Sequence, residues 1–174
     1  MRANQDEAVD ALVNRNKDII VSWESVRDQN PSEYIEKGYL DADDNVRLRT
    51  VSECCNCFGA GYKGFQGSGA KHKFEEDTDI KRLKFYPNGE WDNRLTPDGN
   101  RFTEFHINSA ENDKYAWSRL TDLNQKIALF SHEKVASTKY EAIFKGLYRV
   151  NKEESIKNKK VTYDRISKIM PTYY

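Results

Sequence analysis

The stretch WDNRLTPDGNRFTEF, Trp91 to Phe105, packs an indole, an amide, a carboxylate and two guanidinium groups close together: Trp91, Asn93, Asp98, Arg94 and Arg101. Alternation along a strand puts Trp91, Asn93 and Leu95 on one face and Glu90, Asp92 and Arg94 on the other. A purely packed face has no use for an amide beside an indole unless the amide is satisfied. A pocket wall that reads a planar ligand does. Upstream, Tyr62, Phe65, Phe74, Phe85 and Tyr86 alternate with Lys63, Lys71, Lys73, Lys81, Arg82 and Lys84. Rings offer stacking faces and cations neutralise phosphate, so this mixture suits a base-and-phosphate surface. The glycines of GYKGFQGSGA allow backbone to approach a ligand closely.

Asp79-Ile80-Lys81 has the acid-x-Lys form of a metal-dependent nuclease, with Asp41, Asp43 or Asp44 as further acids. The alternative is an acidic loop leading into a strand. Cys54-x-x-Cys57 with His72 and His106 offers soft zinc ligands, but the histidines are not at finger spacing, and helical packing is the simpler reading. No metal and no cofactor is expected. Ser131 and His132 are adjacent, so they point to opposite faces of a strand and make no nucleophile–base pair. GAGYKG lacks the spacing and the preceding strand of a phosphate loop.

The elements that would position these groups read as α+β. Helices are expected over Ala3 to Asn16, from Ser32 to Lys37, and over DNVRLRTVSECCNCFGAG, with Asp44 as its cap and Leu48, Val51, Cys55 and Phe58 on its buried stripe. DIIVSWESVR is helical or extended. From Gly61 the period changes to two. Strands are expected at Ile80–Tyr86, at Glu90–Leu95 and Arg101–Ile107 around the TPDG turn, at Lys126–His132, at KYEAIFKGLYRV and at KVTYDRIS. AENDKYAWSRLTDL is a short helix or loop. The expectation is one domain over 1–174, mainly helical over 1–60 and mainly β over 61–174. N-terminal helices precede a curved, mostly antiparallel sheet or half-barrel that protects its edges by curling.

Composition narrows the class. Among 174 residues 32% are charged and 12% aromatic, too rich in rings for a disordered chain. No run approaches the ~20 apolar residues that span a bilayer, and the N-terminus has no secretory apolar core. A cytoplasmic protein without membrane contact is expected. Net charge is zero, but acids outnumber bases 12 to 7 in residues 1–60 and bases outnumber acids 11 to 6 in 121–174. That balance argues against tight non-specific nucleic-acid binding and permits a local binding face.

Three segments carry a family resemblance: GYKGFQ after a capped helix, GEWDNRLTPDGNRFTEF, and KIALFSHEK…KYEAIFKGLYRVNKEES…VTYDRIS. Over about residues 55–170 the chain resembles the PUA-like superfamily, whose SRA (YDG) and EVE domains read modified bases. The resemblance implies a curved sheet that holds a flipped base in an aromatic pocket. On that reading Tyr62, Phe65 and Trp91 stack the base, Asn93 and Asp98 bond its edge, and Lys63, Arg94 and Arg101 hold phosphates. The partner implied is DNA, modified or not, in a restriction or defence system with a fused or separate nuclease. Two other functions stay open on the residues alone: a metal-dependent nuclease using Asp79 and Lys81, and a phage or mobile-element inhibitor that binds a protein through the acidic N-terminal third.

Overall fold

A computed structural model describes residues 30–64 and 66–174. The helix expected over Ala3 to Asn16, the helical or extended segment DIIVSWESVR, and Phe65 lie outside the described residues. The described residues open with a short helix α1 (Ser32–Lys37), strand β1 (Tyr39–Asp41), a 3-10 turn at Ala42–Asp44, strand β2 (Arg47–Leu48) and helix α2 (Val51–Asn56). Strands β3 (Gly69–Lys71), β4 (Thr78–Leu83), β5 (Arg94–Leu95) and β6 (Arg101–Glu104) follow, then helix α3 (Ser109–Leu120). The long strands β7 (Lys126–Ala136) and β8 (Lys139–Val150), helix α4 (Lys152–Asn158), β9 (Val161–Ser167) and β10 (Ile169–Pro171) complete the chain.

Eight strands form one sheet in the order β3-β4-β7-β8-β9-β6-β5, with β2 added against β8; β1 and β10 pair separately. Among the described strands, only β4 and β7 pair in parallel. This is the curved, mostly antiparallel, open arrangement expected from the period-two segments. Its curl is visible in the core. One buried cluster draws Phe102, Ile127, Leu129, Tyr148, Val161 and Tyr163 from four strands and adds Leu83, Phe85, Leu95 and Tyr115. Side chains from both ends of the strand order meet there, so this is the enclosed face. At about 1.5–3 kcal/mol per buried large side chain, the cluster holds the curl. A second cluster on the opposite face buries Leu40, Val51, Phe58, Ile80, Phe130, Phe144 and Met170 beneath α1, α2 and the β1–β10 ribbon.

The single long helix expected over DNVRLRTVSECCNCFGAG is replaced by a 3-10 turn, a two-residue strand and a six-residue helix. The cap is Thr50, whose hydroxyl accepts the Glu53 N–H at 3.1 Å, while Glu53 reaches back to accept the Arg49 N–H at 2.6 Å. That reciprocal pair starts the helix at Val51. Leu48 and Val51 are both buried because strand and helix pack on the same core, which imitates helical spacing. GYLDADDN contains β1, and the helix α4 follows β8, capped by Asn151 accepting from Glu154 N–H at 3.1 Å. Cys54, Cys55 and Cys57 are all fully buried. Burial pushes the Cys55 thiol up to about 11 and the other two higher still, so these are packing groups.

Candidate functional site

The open sheet leaves a seam where β4, near one end of the strand order, approaches β6, near the other. Lys81 Nζ on β4 lies 3.9 Å from Glu104 Oε2 on β6. A hollow of about 470 Å³ opens at this seam, lined by Lys81, Arg82, Leu83 and Lys84 from the β4 end, Asn88, Trp91 and Asn93 from the following segment, Glu104 from β6 and Tyr115 from α3.

The β5–β6 hairpin sets the wall. Arg94 pairs with Thr103 and Leu95 with Phe102, and a bridge joins Trp91 to His106. The same register places Asn93 opposite Glu104. Asn93 Oδ1 accepts the Phe105 N–H at 3.2 Å, so its buried amide is oriented and its NH₂ remains a donor. The Trp91 indole is braced by two nearly perpendicular rings, His106 at 4.9 Å and Tyr115 at 5.0 Å. Tyr115 donates its hydroxyl proton to Glu104 Oε1 at 2.6 Å. It accepts from Lys81 Nζ at 3.3 Å and from Arg119 Nε at 3.1 Å. Burial, then the Glu104 charge, drives the Tyr115 pKa far above its ordinary value, so the phenol keeps its proton. Burial pulls Lys81 below the usual lysine range, and Glu104 draws it part of the way back. The hollow therefore presents an oriented amide donor, one carboxylate oxygen not bonded to Tyr115, an ammonium and an indole wall.

The other sequence candidates lie elsewhere. Asp98 belongs to the turn: its carboxylate accepts from Thr96 Oγ1 at 2.7 Å and from the Asn100 N–H at 3.0 Å. Gly99, at φ +75°, lets the chain reverse there. Arg101 makes a fork on Asp164 at 2.6 and 3.2 Å and reaches Glu154 at 3.2 Å. Arg94 is exposed and bonds Asp92 at 2.7 Å. Tyr62 packs against the opposite core, its backbone clasped by the Asn56 amide at 2.7 and 2.8 Å, and Lys63 is exposed beside it. Of the expected set, the hollow gathers Trp91 and Asn93. Glu104 and Tyr115 were not singled out from the sequence, though pairing outward from the Asp98-Gly99 turn brings Glu104 to Asn93.

The nuclease reading finds no support here. Asp79 is engaged by Arg119 at 3.4 Å, Lys81 bonds Tyr115, and among the described residues no group of three or more His, Cys, Asp or Glu is arranged to hold a metal ion. His72 and His106 use their Nδ1 atoms to accept backbone N–H groups, and neither joins the cysteines.

Comparison with known proteins decides the family. The profile of the SRA family, the SET and RING associated domain, matches residues 33–172. The chain belongs to the SRA family. Among solved structures, the 5-hydroxymethylcytosine-specific restriction enzyme AbaSI superposes with a TM-score of 0.73 at 29% identity, over 97% of this chain and 55% of that one. The chain thus spans about half the length of that enzyme. No curated protein matches significantly. This SRA fold contains no helix among its described residues long and apolar enough to cross a membrane.

Proposed function

We propose that this SRA domain reads a modified cytosine in DNA, extruded from the duplex into the seam hollow, as the recognition part of a restriction system. The observation that carries the reading is the Asn93–Glu104 pair facing that hollow beside Trp91. Cytosine's pairing edge offers an amine donor and two acceptors. A carboxylate oxygen takes the amine, and amide and ammonium donors serve the acceptors. Trp91 supplies the ring against which the extruded base rests, which helps offset the few kcal/mol of unstacking. On this reading Arg82 and Lys84, which line the same hollow, supply the positive charge that the phosphates flanking the extruded nucleotide require. The AbaSI likeness supports 5-hydroxymethylcytosine as the modification and cleavage by a nuclease fused to, or associated with, the domain.

Fluorescence anisotropy with duplexes carrying one 5-hydroxymethylcytosine, one 5-methylcytosine or cytosine tests this across a salt series. The expected result is a preference for a modified duplex. That preference falls about tenfold or more in Trp91→Ala, consistent with about 1–3 kcal/mol per stacked base. Glu104→Ala loses it as well, while both variants keep the weak, salt-sensitive binding to unmodified DNA. Equal affinity for all three duplexes in the unaltered protein overturns the reading.

A further inference from the structure

We propose that Arg119, which does not line the hollow, selects the base edge the hollow accepts by holding the Tyr115 hydroxyl proton on Glu104. This rests on the base-reading assignment above and adds a positioning residue to it.

A phenol oxygen has one proton to give and two lone pairs to fill. Arg119 Nε at 3.1 Å and Lys81 Nζ at 3.3 Å can only donate, so they occupy the lone pairs. Tyr163 OH stands farther off at 3.4 Å. The proton is left to Glu104 Oε1, at 2.6 Å, the shortest bond in the network. Arg119 is itself fixed from outside the hollow: its Nη1 donates to Gln125 Oε1 at 2.7 Å and to Asp79 Oδ2 at 3.4 Å. Direction therefore runs inward from Gln125 and Arg119 through Tyr115 to Glu104. The consequence is that no hydroxyl proton faces the hollow, and the second Glu104 oxygen stands there as an acceptor. An amine edge, as in cytosine, meets it. A carbonyl edge, as in uracil, sets oxygen against oxygen. Without Arg119 the lone pair on its side is released, the Lys81 ammonium, which lines the hollow, can move onto it, and the position Lys81 leaves is open for the hydroxyl proton to turn into the hollow and meet that carbonyl.

The test compares binding of duplexes carrying 5-hydroxymethylcytosine or 5-hydroxymethyluracil at one position. The two lesions differ at the pairing edge and share the 5-substituent. The opening cost of each duplex is common to all variants and cancels. The unaltered protein is expected to favour the cytosine duplex about tenfold or more. Arg119→Met narrows this to about threefold by gaining affinity for the uracil duplex. Adding Tyr115→Phe to Arg119→Met restores the discrimination, because no hydroxyl is left to turn. Should Arg119→Met not fold, Gln125→Leu, which releases the guanidinium without touching the hollow, narrows the ratio in the same direction. A purely structural Arg119 would weaken both duplexes alike and leave the ratio unchanged, which overturns the proposal. So does failure of the double variant to recover. The underlying reading fails separately: an unaltered protein that ignores the hydroxymethyl group yet rejects uracil sinks modification reading and keeps the relay. One that prefers hydroxymethylcytosine to cytosine but takes hydroxymethyluracil equally sinks only the relay. One that binds the hydroxymethylcytosine, hydroxymethyluracil and unmodified duplexes alike sinks both.

Discussion

Arginine 94 and arginine 101 show how residue type alone misleads about role. Both stand in the segment that forms the hollow's wall, and both suit phosphate, yet Arg101 is tied into a fork with Asp164 that joins β6 to β9. Arg101→Ala is expected to lower stability by about 1 kcal/mol or less, as half-exposed pairs do, and to leave discrimination between modified and unmodified duplexes unchanged. Urea titration and duplex binding check the two halves; a lost preference with intact stability would return Arg101 to the binding face. Trp91 and Asn93 were legible because strand alternation places them together without further knowledge. Glu104 was not, because a buried carboxylate has meaning only once its partners are known. Tyr115 comes from a helix with a mostly polar sequence, and nothing local says that its hydroxyl meets a strand of the opposite edge.

At the scale of elements, the seam exists because β8 bends. Its pairing slips against β7 near Leu129/Phe130 and against β9 near Leu147/Tyr148. Gly146 sits at that place with φ +121°, and a Cβ there would stand 2.5 Å from the Ser167 carbonyl oxygen and 2.8 Å from Arg165 Cδ. Gly146→Ala combines a forbidden backbone with a backbone clash. It is expected to cost about 2 kcal/mol, read as a lower urea midpoint; an unchanged midpoint contradicts the bulge as the source of the curl. The long strands were legible because their two-residue alternation runs over a dozen residues. The short pieces before them were not: β2, α2 and the turn after it bury Leu48, Val51 and Phe58 against one core, and together they present a helical spacing that none has alone. The bulges themselves arise from pairing between distant segments, which no local pattern reports.

For the molecule as a whole, the sign of its acid response follows from two histidines. The His72 side chain is wholly buried, and its Nδ1 accepts the Phe74 and Glu75 N–H groups at 3.0 Å each. Burial lowers the pKa of His72 below 6.5; burial, then Arg82 and Lys84, lowers that of His132. Just below pH 6.5 the unfolded chain therefore binds more protons than the folded one. Stability is full above that value and falls as pH drops towards the folded pKa values. Asp164, held below its ordinary 3.8 by Arg101, adds a further loss at lower pH still. Melting temperature should be level from pH 8 to about 6.5 and then decline. His72→Asn, which keeps an acceptor and removes the titration, should flatten the first part of that decline; an unaltered acid slope would contradict it. The α+β class, the half-barrel and the SRA likeness were legible at this scale, since they rest on the order and length of the strands. The seam, on which the account turns, is set by how far the sheet curls. A crystal structure with a duplex carrying 5-hydroxymethylcytosine tests it most directly. One base is expected out of the stack, in the hollow beside Trp91, with its amine at hydrogen-bond distance, about 3 Å, from Glu104. A complex with every base stacked, or with the extruded base seated away from the Asn93–Glu104 pair, would contradict it.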